Sequence, residues 1–205
     1  MFFHIAQILA YLPLKLFLPT RFYGKKNLPK GKCVLVVNHT SSYDAPLLVA
    51  NLFERKYFLA KEELFRNKFK KGLMKFLGGI PINRAQPTLA QIKTALGVLK
   101  NNKKLVIFPE GTRREDKVEN GEMGEVKNGA GMFAIKSKAK IVPVWISRKP
   151  KLFRLTRIEI GEPFELDKFY DKKLDEAALT EAGQIINQKI LEIGKKYTNG
   201  KIRHK

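Results

Sequence analysis

Cysteine is almost absent from this chain. Cys33 is the only one, which excludes an intramolecular disulfide framework and fits a reducing, cytoplasmic setting. Histidine is scarce as well: His4, His39 and His204 lie far apart, and with one thiol they make no metal-ligand spacing, so no metal site is expected. Acidic residues are few, 19 Asp+Glu against 40 Lys+Arg, and none precedes Asp44. The resulting charge of +21 over 205 residues says nothing about fold, but it attracts polyanions: nucleic acid, an anionic membrane surface, or phosphorylated and acidic ligands. No uninterrupted apolar run reaches the ~20 residues a membrane-spanning helix needs. With 44% hydrophobic and 29% charged residues, the chain is neither a disordered tail nor a polytopic membrane protein. No internal repeat or Gly/Ser linker divides it, which predicts one domain.

The most apolar stretch is MFFHIAQILAYLPLKLFLPT, residues 1–20. It has neither the basic start nor the small-residue cleavage site of a signal peptide. His4, Gln7, Tyr11 and Lys15 are spaced to form one narrow polar stripe on a helix, leaving a wide apolar face. Pro13 is expected to kink or divide that helix. Lys15, Arg21, Lys25, Lys26 and Lys30 follow with no acid among them. An apolar wedge beside such a run fits a helix lying in the interface of an anionic membrane, and the alternative is an ordinary amphipathic helix packed on the core. The basic end, IGKKYTNGKIRHK (193–205), has no acid either and offers further membrane affinity.

Beyond residue 20, short β-rich runs alternate with helix-like stretches. The pattern predicts strands at 33–37, 57–60, 80–83, 105–108, 141–146 and 157–160. Helices are predicted at 42–54, 88–101, near 129–138 and 175–196, with two short helical pieces before Gly78-Gly79 and a polar loop over 111–126. This alternation implies an α/β fold: one domain, 21–205, with a mostly parallel or mixed central sheet flanked by helices, a C-terminal helix and a basic tail, behind the membrane-interfacial segment 1–20.

In such sheets ligands gather at the carboxyl ends of strands. Three predicted strands run into polar residues there: Val37 into Asn38-His39, Ile82 into Asn83-Arg84, and Phe108 into Pro109-Glu110-Gly111-Thr112-Arg113. In NHTSSYD (38–44), Ser41 and Asp44 spell a capping box opening a helix. A carboxylate in that first turn is placed to meet the His39 imidazole, fix its tautomer and leave its other nitrogen free to take a proton. Such a dyad has no nucleophile of its own; Ser41 and Ser42 read as cap and loop. Taken alone the spacing is equally that of a helix cap beside a satisfied histidine. Arg84, Arg113 and Lys61 are candidate phosphate-binding cations, because a guanidinium fork matches phosphate oxygens. Phe65, Phe69, Met74, Phe76 and Leu77 are available either as core or as lining for an apolar ligand.

NHTSSYD, GGIPINR, FPEGTRR and IVPVWI occur in that order, and the set resembles the four-block signature of the glycerolipid acyltransferase family, most closely its bacterial 1-acyl-glycerol-3-phosphate branch. FLAKEEL (58–64) and VKNGAGMFAIKSKAKIVPV (126–144) look like the family's connecting segments, so the resemblance spans roughly 20–165. Asn83 and Pro81 depart from its usual acid and aromatic or β-branched residues without touching the chemistry. The resemblance implies that His39 takes the proton of an acceptor hydroxyl, with Asp44 orienting it. It implies that Arg84, Arg113 and Lys61 hold the acceptor phosphate, and that Glu110, Gly111 and Thr112 position the acceptor. It implies a fatty acyl group moved from acyl-CoA or acyl carrier protein to the sn-2 hydroxyl of lysophosphatidic acid, giving phosphatidic acid. No cofactor is expected beyond that thioester substrate, and the expected place is peripheral, on the cytoplasmic face of the cell membrane. A glycerol 3-phosphate or other lysophospholipid acceptor is the alternative within the class. A catalytically dead membrane-binding relative is disfavoured by the intact His39/Asp44 pair, and a nucleic-acid-binding protein by the spread of the basic residues with no recognition motif.

Overall fold

The central strands are β-branched and aliphatic runs buried on both faces, the pattern of a parallel sheet covered by helices. The computed structural model describes residues 11–52, 54, 56–113 and 118–198, with 197 and 198 as backbone alone. The strands are β1 (Thr20–Tyr23), β2 (Cys33–Val37), β3 (Lys56–Lys61), β4 (Gly79–Ile82), β5 (Lys104–Ile107), β6 (Lys140–Ile146) and β7 (Thr156–Ile160). They form one sheet in the order β1-β7-β6-β2-β5-β3-β4. The block from β6 to β4 is parallel, while β7 pairs antiparallel with β6 and parallel with β1. The expected α/β sandwich with a mixed sheet is the observed one.

The helices are α1 (Asp44–Asn51), α2 (Lys68–Leu77), α3 (Leu89–Lys100), α4 (Gly129–Ser137) and α5 (Glu176–Thr198). Right-handed crossovers dictate their faces. Moving outward from β2 through β3 to β4 places α1 and α2 on one face; returning through β5 to β6 places α3 and α4 on the other, joined by α5. Two cores result. Val34, Val36, Leu105, Ile141, Phe133 and Ile186 belong to the first; Leu35, Val37, Val106, Val144, Leu48 and Ile158 belong to the second. Thr88 and Gln91 cap α3 with a complete capping box. Gly78 ends α2 at φ 90°, where a Cβ would meet the Lys56 carbonyl oxygen at 2.3 Å, so only glycine fits.

β1 is absent from the sequence-based pattern. Its residues, TRFY, lack the aliphatic run that marks the equally short β4 and β5, and the strand forms by pairing with β7, far along the chain. The boundary expected at 20/21 therefore falls inside a strand. Residues 11–17 are helical through Pro13; the N-terminal half of the expected interfacial helix, with His4 and Gln7, lies outside the described residues, as does 199–205. Among the described residues no helix is long and apolar enough to cross a membrane.

At the edge of the sheet opposite the strand carboxyl ends, two lysines are buried side by side. Lys56 and Lys104 are in register on neighbouring strands, only 1% and 3% exposed. Lys56 Nζ donates to the carbonyls of Leu52 (2.7 Å) and Glu54 (2.6 Å). Lys104 Nζ donates to Gly31 O (3.2 Å) and pairs with the Glu54 carboxylate. Burial pulls Lys56 down to about 7, with Glu54 opposing and Lys104 adding to the shift, and burial pushes Cys33 up to about 12. Between pH 7 and the ordinary lysine value the unfolded chain holds a proton that the folded one lacks, so stability rises with pH. Above the ordinary thiol value Cys33 works the other way, because the folded form then keeps the extra proton. Chemical denaturation is thus expected to show stability climbing from pH 7 to 9 by on the order of 1 kcal/mol per pH unit, then levelling. Lys56→Met should abolish the climb.

Candidate active site

β2 stops at Val37 because Asn38 leaves the strand pattern yet imitates it. Its amide accepts from Ile146 N (2.7 Å) and donates to Ile146 O (3.0 Å), continuing the β2–β6 ladder with side-chain atoms. The chain then turns sharply into α1. Asp44, fully buried, is the hub of that turn. Its Oδ2 accepts from Thr40 N (2.7 Å) and Ser41 N (2.8 Å), and its Oδ1 accepts from the Thr40 hydroxyl (3.0 Å). The His39 ring completes the set, with Nδ1 2.8 Å from Oδ2. An oxygen already surrounded by donors admits only another N–H, so the imidazole carries its proton on Nδ1 and presents a lone pair at Nε2. The ring stacks on Phe108, centroids 4.2 Å apart.

The capping box expected at Ser41 and Asp44 is only half made. Asp44 does reach back to Ser41 N, but the Ser41 hydroxyl accepts from Tyr43 N (3.2 Å) rather than from Asp44. Tyr43 is the residue that caps α1.

Glu110 ties this corner to its neighbours. It is 5% exposed, and its Oε1 accepts from His39 N (2.9 Å) while Oε2 accepts from Gly124 N (2.7 Å). It therefore ties the histidine loop to the 118–128 segment. Gly111 follows at φ 67°; a side chain there would press on Lys127, whose Cε lies 3.2 Å from the Cβ position.

Arg84, at the end of β4, donates through Nη1 to the Gly111 carbonyl. Burial lowers its guanidinium from the ordinary value, with Glu63 opposing and Arg113 adding to the shift. Arg84 is half-buried and Arg113 exposed but near enough to act on it, and guanidinium groups paired in this way suit an anion. Asn83, Arg84, Gly111 and Lys127 share the wall of a cavity of ≈ 180 Å³ with apolar side chains such as Leu59, Ile107, Phe108, Met132 and Phe133. A second, open and more polar groove of ≈ 470 Å³ runs between Glu110–Thr112 and Gly124–Asn128, with Lys127 on its wall too.

The site thus brings together His39, Asp44, Glu110, Gly111, Thr112, Arg84 and Arg113. Lys61 is exposed and ion-paired with Glu63 at 3.1 Å; like the exposed Arg113 it lies outside the walls of both cavities. The suggested apolar lining also lies elsewhere. Phe65, Met74 and Leu77 pack against the second core, and Phe69 is 81% exposed, because the β3–α2 crossover carries α2 to the face opposite the cavity. Lys127 is the residue that sequence reasoning passes over. Its signal is a lysine directly before an asparagine-glycine helix start, but only the fold brings it against Gly111.

The acyltransferase family model matches residues 19–147, the span that carries every one of these site residues. The chain belongs to the acyltransferase family. This acyltransferase is 32% identical over 185 residues to the 1-acyl-sn-glycerol-3-phosphate acyltransferase of Bacillus subtilis, covering 86% of this chain and 88% of that protein. It is 30% identical to the enzyme of that name from Streptococcus pneumoniae, over 82% of this chain and 64% of that one. Its fold matches the crystal structure of the 1-acyl-sn-glycerophosphate (LPA) acyltransferase PlsC from Thermotoga maritima with a TM-score of 0.67 and 26% identity, covering 94% of this chain and 78% of that one. The acyltransferase is thus an enzyme of the acyl-transferring class.

Proposed function

We propose that this acyltransferase moves a fatty acyl group from an acyl thioester, acyl-CoA or acyl carrier protein, to the sn-2 hydroxyl of lysophosphatidic acid, giving phosphatidic acid. The observation that carries the reading is the Nδ1–Asp44 bond, which leaves Nε2 of His39 with no hydrogen-bond partner among the described residues. Nε2 takes the proton of the acceptor hydroxyl as its oxygen attacks the thioester carbonyl carbon. The C–O bond forms, the tetrahedral intermediate collapses, and the C–S bond breaks. The departing thiolate takes the proton from the imidazolium, which the Asp44 carboxylate has stabilised meanwhile. General base catalysis of this kind contributes roughly 10²–10⁴-fold, and the remainder comes from holding thioester and alcohol in line.

Arg84 and Arg113 bind the acceptor phosphate in this reading, and Lys127 joins them, since its ammonium flanks the same Gly111 turn. The first turn of α4, with Gly129 and Ala130 on the cavity wall, adds the positive end of a helix. Lys61, held by Glu63, contributes at the rim through charge alone. Glu110 acts on the acceptor indirectly, by keeping the His39 loop in place. The enzyme works at the surface of an anionic membrane, where its lipid acceptor resides; the +21 charge and the exposed Leu12, Leu16 and Phe17 support that setting.

The test is acyl transfer by purified protein with each thioester donor, against lysophosphatidic acid and glycerol 3-phosphate in parallel. Turnover of lysophosphatidic acid is expected; turnover of glycerol 3-phosphate alone would replace the acceptor assignment. Arg84→Ala should raise KM for the acceptor by about 10- to 100-fold, the loss of one charge-assisted phosphate contact worth about 1.5–3 kcal/mol. KM for the thioester should hold steady, and a rise confined to the thioester would assign Arg84 to the donor.

A further inference from the structure

Two segments remote in sequence put bare apolar side chains side by side. Leu12, Leu16 and Phe17 of the N-terminal helix are exposed, and so are Leu152, Phe153 and Leu155 in the β6–β7 connection. The two sets meet: Phe153 N donates to Phe17 O (2.8 Å) and the two rings lie 5.8 Å apart, tilted at 57°. Phe153 is 69% exposed and sits at φ 56°, a left-handed conformation that costs a bulky residue stability. Lone exposed apolar residues are ordinary, but a joined patch rimmed by polar groups marks an interaction surface.

The rim is basic. The connection SRKPKLFRLTR (147–157) holds Arg148, Lys149, Lys151, Arg154 and Arg157 with no acid, and Lys15 and Arg21 flank the other side. Among the described residues, Glu119 lies 3.8 Å from Arg154. A second copy of this chain docking here would set cations against cations, whereas an anionic bilayer supplies both the apolar medium and the opposite charge.

The patch also faces the right way. β6 runs parallel to β2, so the 147–155 connection leaves the same sheet edge as the His39 corner. Asn38, next to His39, is bonded to Ile146 at the base of that connection. β1 starts from this edge too, opposite Thr156, with Thr156 N bonded to Pro19 O (2.9 Å).

We propose that the β6–β7 connection is a second membrane-inserting element: Leu152 and Phe153 enter an anionic lipid surface together with the N-terminal helix and hold the active-site edge of the sheet against the bilayer. This rests on the reading of a lipid acceptor given above. It explains why a phenylalanine occupies a strained, solvent-facing position that glycine would fill at lower cost.

The test places an environment-sensitive fluorophore at Phe153→Cys, the only reactive thiol available because Cys33 is fully buried. Its emission should shift to the blue and rise several-fold with vesicles of mixed phosphatidylcholine and phosphatidylglycerol, and be quenched by lipid-borne quenchers. It should change little with phosphatidylcholine alone, and the same label at Lys100→Cys, on the opposite sheet edge, should not respond. Phe153→Gly should weaken binding to the mixed vesicles by about tenfold without lowering the thermal midpoint; Leu152→Ser is the independent second variant. The proposal is overturned if the label at 153 stays silent on vesicles that sediment with the protein, if no sedimentation occurs, or if both variants bind like the parent. A shift that grows with protein concentration in the absence of lipid would replace the bilayer by a second copy. Turnover of lysophosphatidic acid dispersed in detergent tests the acceptor assignment separately, and should be the same in Phe153→Gly as in the parent.

Discussion

His39→Ala is expected to lower acyl transfer by about 10²- to 10⁴-fold while leaving the fold almost untouched. Among the described residues the imidazole is the one group at the corner with an unengaged basic nitrogen, so nothing nearby substitutes for it. Structurally it contributes little: one hydrogen bond to Asp44 and a stack on Phe108. After its removal Asp44 still accepts from Thr40 N, Ser41 N and the Thr40 hydroxyl. A loss on the order of 1 kcal/mol shifts the midpoint of a domain this size by about 2–4 °C. Steady-state turnover beside thermal denaturation separates the two effects. Turnover retained within tenfold would remove the general base from the proposed reaction.

Asp44 should behave in the opposite way, and its two substitutions should diverge. Asp44→Ala strands Thr40 N, Ser41 N and the Thr40 hydroxyl in a buried corner, at about 1–3 kcal/mol for each unsatisfied group. Against a typical total of about 5–15 kcal/mol, that variant is expected to be severely destabilised as well as inactive. Asp44→Asn keeps the geometry. Its amide oxygen can stand where Oδ2 accepts three donors, and its NH2 group falls where the Thr40 hydroxyl rotates to accept instead of donate. What is lost is the negative charge that stabilises the imidazolium. Asp44→Asn is therefore expected to melt within a few degrees of the parent yet lose about 10²–10⁴ in kcat, read by denaturation and turnover on the same preparation. Near-normal kcat in this variant would make Asp44 a cap and nothing more.

The strands that carry long apolar runs are legible in the order of residues alone. CVLVV, LVIF and IVPVWI can only be buried strands, and the polar residues at strand ends point to the three loops that hold His39, Arg84 and Glu110. The His-x-x-x-x-Asp spacing says less by itself, because a helix cap beside a satisfied histidine has the same spacing; with the neighbouring blocks it points to the pair, since a carboxylate in the first turn of a helix reaches back over the preceding loop. Shorter or longer-range features escape. β1, TRFY, has no aliphatic run to mark it. Phe69 reads as core or ligand lining because an aromatic in an amphipathic helix normally is, but its face points away from the sheet and it is 81% exposed. Lys61 reads as a site cation by position; what position alone does not show is its ion pair with Glu63.

Periodicity and contacts within five residues suffice for the α/β class, for the strand ends that bear the polar loops, and for the histidine–aspartate pairing. Which distant loops meet is a property of the folded chain. Glu110 bridges His39 to Gly124, Lys127 lies against Gly111, and Phe17 meets Phe153. These contacts depend on strand order and crossover hand, which join segments far apart along the chain, and no local pattern encodes the order in which a sheet assembles.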